Sequence, residues 1–254
     1  MATASLPMYD FAELADAHDA LWAAVVDAHG GGLPATLTHA DDVHALWHAT
    51  DLAVSQACGW PLVDELDGRV RLIGAFSYDV PDAVGPRYRS RIVTRADRTA
   101  IDPASAVAAV NSFASLSGWL SLVGAFPQVG GGWPGEVVVT GAHVDSLGAL
   151  QSGDAAVAAI DGVTFALVER HRPHLLDGLT VIAEGPLIPC LPLIAGRATS
   201  DDALRLLQHA FATAVGTTDP ASLDALLITG FHPVGLDAYE PVRALHAVWQ
   251  GAAR

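Results

Sequence analysis

Strand-length apolar runs alternate with helix-length segments along most of this 254-residue chain, and that alternation limits its fold more than any other feature. Residues 155–160, Ala-Ala-Val-Ala-Ala-Ile, are too few for a buried helix and suit a buried strand. They lead into Asp161-Gly162 and a segment of helical spacing at 162–171. The same succession recurs. Strands are predicted at 5–9, 33–38, 52–55 and 69–76, with helices at 14–28 and 41–48. A second series runs strand 106–111, helix 117–126, strand 136–140, helix 144–151, strand 155–160, helix 162–171. Strands at 180–184 and 191–195 flank a Pro-rich turn, and helices at 201–215 and 222–227 close the chain. Such alternation predicts an α/β fold with parallel sheets covered by helices on both faces. The long segment 88–95, whose arginines alternate with other residues, joins the two series, so two lobes are expected.

Composition narrows the function. The formal net charge is −15, and all 13 basic residues are arginines. A nucleic-acid binder needs a basic stripe, and none is present; Arg87, Arg89 and Arg91 read as the polar face of a strand. The hydrophobic fraction is 51%, much of it alanine, and no apolar run is long enough to span a membrane. Two cysteines, Cys58 and Cys190, exclude a disulfide framework; they can pair with one another, but read rather as buried thiols. Residues 1–5 lack a basic leader region. As written the sequence reads as cytoplasmic, or as periplasmic with its leader removed.

Three segments carry the chemistry. Ser115-Leu-Ser117-Gly118 lies between a strand and a helix. Serines there can cap the helix, and its free N–H groups and dipole can hold an oxyanion. His143 follows a strand and opens a helix. Asp161 stands at the carboxyl end of the apolar strand, where α/β sheets form ligand crevices and where an aspartate also serves as a helix cap. In the first series Tyr9, Ser55, Gln56 and Tyr78 all fall at strand ends, where aromatic residues can wall a pocket. His44 and His48 have helical i, i+4 spacing but lack the glutamate of a zinc motif. Neither a metal nor a cofactor is expected, and Gly130–132 reads as a turn.

Taken in order, these segments resemble the phosphate/phosphite/phosphonate substrate-binding proteins of ABC transporters. The matching pieces are Leu6-Pro-Met-Tyr9-Asp10, Ser55-Gln-Ala-Cys-Gly-Trp-Pro61, Gly85-Pro-Arg-Tyr-Arg-Ser90, Ser115-Leu-Ser-Gly118, His143 before a helix ending in Ser152-Gly153-Asp154, and Ala158-Ala-Ile-Asp161. The likeness runs from about residue 5 to residue 235; leucine at 116 and Trp60 in the Cys-Gly-Trp-Pro loop depart from it. The resemblance implies a two-lobed type II periplasmic-binding-protein fold with two hinge-crossing strands, at 88–95 and near 184–193. Lobe one would comprise 1–90 and 191–254, lobe two 91–190. It also implies a small anionic, phosphonate- or phosphate-like ligand in an interlobe cleft. Tyr9, Ser55, Gln56 and Tyr78 would contact it from one lobe, and Ser115, Ser117, Gly118, His143 and Asp161 from the other. An ABC permease is the implied partner.

Two other functions remain open on the sequence. Some proteins resembling this fold are cytoplasmic enzymes making thiamine-pyrimidine or menaquinone precursors, in which His143 or Asp161 would act as acid or base. Others sense ligand for a partner. No nucleophile–base pair stands at suggestive spacing, which favours a binding protein over an enzyme.

Overall fold

The computed structural model describes residues 2–39, 42–98, 100–130 and 132–252, without side-chain detail for residue 246 or residues 248–252. The strands are β1 (Thr3–Ser5), β2 (Leu52–Gln56), β3 (Val70–Tyr78), β4 (Arg87–Arg95), β5 (Ala108–Val110), β6 (Val137–Val139), β7 (Val157–Ile160), β8 (Leu179–Pro189), β9 (Pro192–Gly196) and β10 (Ile228–His232). The helices are α1 (Ala15–His29), α2 (Val43–Trp47), α3 (Gly59–Val63), α4 (Ser121–Ala125), α5 (His143–Ser152), α6 (Gly162–His171), α7 (Asp201–Thr217), α8 (Pro220–Ala225) and α9 (Glu240–Ala252). They form two five-stranded sheets, β1-β2-β9-β3-β10 and β6-β5-β7-β4-β8.

The chain divides into two compact units. The first comprises Met1–Asp79, Ala83–Pro86 and Pro189–Tyr239; the second comprises Val80–Asp82, Arg87–Ile188 and Glu240–Arg254. In the first, α1 buries Leu21, Trp22 and Val25, and α7 buries Leu207, Ala210, Phe211 and Ala214; the two helices pack together. Gly30 ends α1 with φ 78°, a left-handed conformation that glycine adopts without a Cβ clash. An aromatic cluster of Phe76, Phe211 and Phe231 sits beneath the sheet. The second unit closes on Ile92, Leu120, Leu147, Val157, Val163 and Leu167, all fully buried.

Several expectations are corrected. The sheets are mixed, not parallel: β2, β3, β9 and β10 pair antiparallel with one another, as do β4 and β7, while β1–β2, β5–β6 and β5–β7 are parallel. Residues 7–9 form a 3-10 turn instead of a strand, because Pro7 removes a ladder donor and fixes φ. Residues 33–38 are irregular; Pro34 offers its carbonyl to the Trp22 indole at 3.0 Å. The two strands expected around a Pro-rich turn begin instead with one eleven-residue strand, β8, running through Pro186 to Pro189. That strand lies at the sheet edge, where a missing N–H is tolerated. Strand β10 and helices α3 and α9 were not anticipated. By its contacts α9 falls in the second unit, against the turn 116–120, whereas the sequence reading keeps it in lobe one. Asp41 and Gly131, within an expected helix and turn, lie outside the described residues. Among the described residues no helix is long and apolar enough to cross a membrane. Both cysteines are thiols.

Candidate ligand-binding site

In the second unit, the parallel strands β5 and β7 deliver two chain reversals side by side. The first, after β5, leads through Asn111 to a π-helical turn, Leu116–Leu120, that runs into α4. Ser115 caps it, its Oγ accepting the Gly118 N–H at 2.9 Å. A π turn bonds each N–H to the carbonyl five residues back, here Leu120 N–H to the Ser115 carbonyl at 3.1 Å. The N–H groups of Leu116 and Ser117 therefore precede any intrahelical acceptor. Gly118 is required in place: a Cβ there would stand 2.0 Å from Asn111 Oδ1. That oxygen is itself buried without a hydrogen-bond partner.

The second reversal follows β7. Asp161 is buried and caps α6, with Oδ1 accepting from Val163 N–H at 2.9 Å and Thr164 N–H at 3.0 Å. Its Oδ2 accepts the Tyr88 hydroxyl proton. Strand β4 brings Tyr88 there by pairing antiparallel to β7, with Arg91 opposite Ile160. Gly162 lets the strands approach, since a Cβ would meet the Arg89 carbonyl at 2.3 Å. Ser90, one step from Arg91, has a buried Oγ without a partner.

His143 opens α5, and its Nε2 lies 2.9 Å from Ser117 Oγ. Nδ1 is buried and makes no well-formed hydrogen bond. Burial pushes the imidazole pKa below its usual value, against the opposing pull of the Asp161 charge and the Ala159 backbone. A folded-state pKa below the unfolded one means that the unfolded chain takes up the proton first. This contribution to stability is therefore present above about pH 6.5 and is lost as pH falls below it. His18, also lowered by burial, acts in the same sense. Urea unfolding at about pH 7.5 and pH 5 should show His143→Gln losing less stability on acidification than the parent. An equal loss in both proteins would remove His143 from this account.

The first unit gathers a separate group. The rings of Tyr9 and Tyr78 meet edge to face at 5.5 Å. Gln56 Nε2 donates to Tyr78 Oη at 3.2 Å. Ser55 Oγ turns to the Gln56 carbonyl at 3.3 Å, and the Trp47 indole donates to that carbonyl at 3.1 Å. Trp60 is buried on α3 beside this strand end. Of the residues singled out in the sequence, Tyr9, Gln56 and Tyr78 thus form one cluster, and Ser115, Ser117, Gly118, His143 and Asp161 form two linked reversals in the other unit. Ser55 is fully buried and bonded to backbone. Sequence reasoning did not name Tyr88, Asn111 or Ser90 as site residues, although Tyr88 and Ser90 lie in a segment that carries the resemblance. The alternation of Tyr88 and Ser90 with outward arginines on β4 was the available signal. His44, the metal candidate, bonds Glu65 at 2.8 Å, and among the described residues no set of three metal-ligating side chains assembles.

Two α/β units, each carrying polar groups and helix starts at its strand ends, define a solute-binding protein of the periplasmic type. Residues 6–239 match a family profile described as the phosphonate periplasmic substrate-binding protein of ABC transporters, and the chain belongs to that family. The family is that of a transporter's substrate-binding component, not of an enzyme. No curated protein matches the sequence. Solved structures show the fold. A binding-protein component of an ABC phosphonate transporter from Pseudomonas aeruginosa aligns with TM-score 0.76 at 16% identity, covering 99% of this chain and 87% of that one. PhnD1 from Prochlorococcus marinus, in complex with methylphosphonate, aligns with TM-score 0.74 at 12% identity, covering 97% of each. A Xanthomonas citri protein bound to ATP aligns with TM-score 0.67 at 13% identity, covering 94% of this chain and 95% of that one.

Proposed function

We propose that this protein binds a small phosphonate- or phosphate-like anion and delivers it to an ABC permease in the periplasm. The observation that carries the reading is the Ser117–His143 hydrogen bond at the start of a π-helical turn. In the tautomer with its hydrogen on Nε2, the neutral imidazole donates to the Ser117 hydroxyl, which is then free to donate its own hydrogen bond to an oxyanion. Beside it stand the N–H groups of Leu116 and Ser117, oriented by the turn. These donors hold an anion by local dipoles, against the field of a protein whose net charge is −15. The Tyr88–Asp161 pair supplies a carboxylate whose position is fixed by three donors; it suits a protonated oxygen or an amine on the ligand. Tyr9, Gln56 and Tyr78 are the candidate ligand contacts of the first unit.

Ser117→Ala should weaken binding of methylphosphonate, phosphite or phosphate by about tenfold to a hundredfold, the worth of one hydrogen bond to a charged group. Titration calorimetry with each anion measures it. Parent-like affinity in the variant for whichever anion binds the parent would take Ser117 out of the site.

A further inference from the structure

The first unit holds a second concentration of donors, at the other end of its sheet. A pocket of about 380 Å³ is lined by residues including His48, Thr50, Arg69, Arg197 and Thr199, and no carboxylate is among its lining residues. Strands β3 and β9 pair antiparallel, with Val70 opposite Gly196 as the last registered pair. Arg69 and Arg197 stand just beyond that pair, in the turns that flank the two strands, and both border the pocket. This chain has 28 acidic residues with which to neutralise its 13 basic ones, and it does so elsewhere. Arg71 pairs with Asp201, Arg89 and Arg91 with Glu184, Arg95 with Asp97, and Arg205 with Asp202. Arg69 and Arg197 are exposed and, among the described residues, neither guanidinium has a hydrogen-bond or ion-pair partner.

Two hydrogen bonds tie down the loop that presents Arg197. Thr199 N–H closes a turn onto the Gly196 carbonyl at 3.0 Å, and Arg71 fastens the Thr199 carbonyl at 2.9 Å. A guanidinium is a planar fork that can donate side by side to two oxygens of a phosphate or a carboxylate, and this pocket has two of them on its wall. The geometry points to a second oxyanion site at Arg69 and Arg197, taking a phosphate or phosphonate group. It is separate from the Tyr9–Gln56–Tyr78 cluster: Gln56 and Tyr78 end β2 and β3 roughly 13 and 26 Å along the strands from this pocket. The proposal therefore stands whether or not Ser117 binds an anion. The phosphate can be free in solution or carried on a phospholipid headgroup.

Amide NMR with inorganic phosphate tests it. Backbone signals of Thr50, Gly196, Ala198 and Thr199 should shift saturably at millimolar phosphate. In R69A/R197A the same shifts should need about tenfold more phosphate or disappear, with the urea midpoint unchanged. Signals from Ser117 and Gly118 report any binding at the other site separately. Sedimentation with phosphatidylglycerol vesicles assigns the source. Pelleting of the parent but not of R69A/R197A identifies a headgroup; saturation by free phosphate without pelleting identifies a soluble anion. If the signals around Gly196 do not move with phosphate, or move identically in the variant, and the vesicles pellet both proteins equally or neither, the site does not exist.

Discussion

Phe76→Ala should lower the unfolding free energy by about 3–5 kcal/mol, the usual cost of removing a buried aromatic ring. Phe76 is 2% exposed and central to the first unit. Its ring meets Phe211 at 5.8 Å, Phe231 at 6.2 Å and Tyr78 at 6.4 Å. Losing it opens a cavity beneath strand β3 and removes the edge that holds Tyr78. Urea unfolding followed by tryptophan fluorescence reads the loss. Phe76→Leu, which keeps most of the volume, should cost less than half as much. A loss below about 1 kcal/mol for Phe76→Ala would show that the neighbouring rings close the gap, and that this cluster does not anchor the sheet.

Asp161→Ala should destabilise the second unit by about 3 kcal/mol. The carboxylate accepts the N–H groups of Val163 and Thr164 and the Tyr88 hydroxyl. Alanine removes the cap of α6 and leaves a buried hydroxyl without its acceptor, and each loss costs on the order of 1–2 kcal/mol. Asp161→Asn retains an oxygen for the cap and should recover about half of the loss. Tyr88→Phe in the Asp161→Ala background should cost almost nothing further, because the hydroxyl has already lost its partner. If Tyr88→Phe is as costly in the variant as in the parent, the two side chains are not coupled. The helix-cap role and the ligand role of Asp161 also separate here. A variant that is stable but blind to ligand marks a binding carboxylate; a variant that fails in both marks a carboxylate that builds the site.

An α/β chain with two series of elements is legible in the residues alone. Helix α6 is legible to the residue, because a strand-length run of buried alanine, valine and isoleucine stops at an aspartate that can cap a helix and a glycine that can pack closely. The serine turn at 115–118 is legible for the same reason: side-chain oxygens compete for backbone N–H groups at short range. Strand direction was not legible, since an apolar run is the same whether its neighbour is parallel or antiparallel. The sheets therefore proved mixed. Nor could periodicity show that β8 runs on through Pro186 and Pro189, because only its place at a sheet edge makes the missing N–H groups harmless. Tyr88 meets Asp161 across 73 residues of chain, and Arg69 and Arg197, 128 residues apart, border one pocket. Those meetings depend on strand pairing, a long-range property that no local pattern encodes, and so tertiary structure alone brought these groups together.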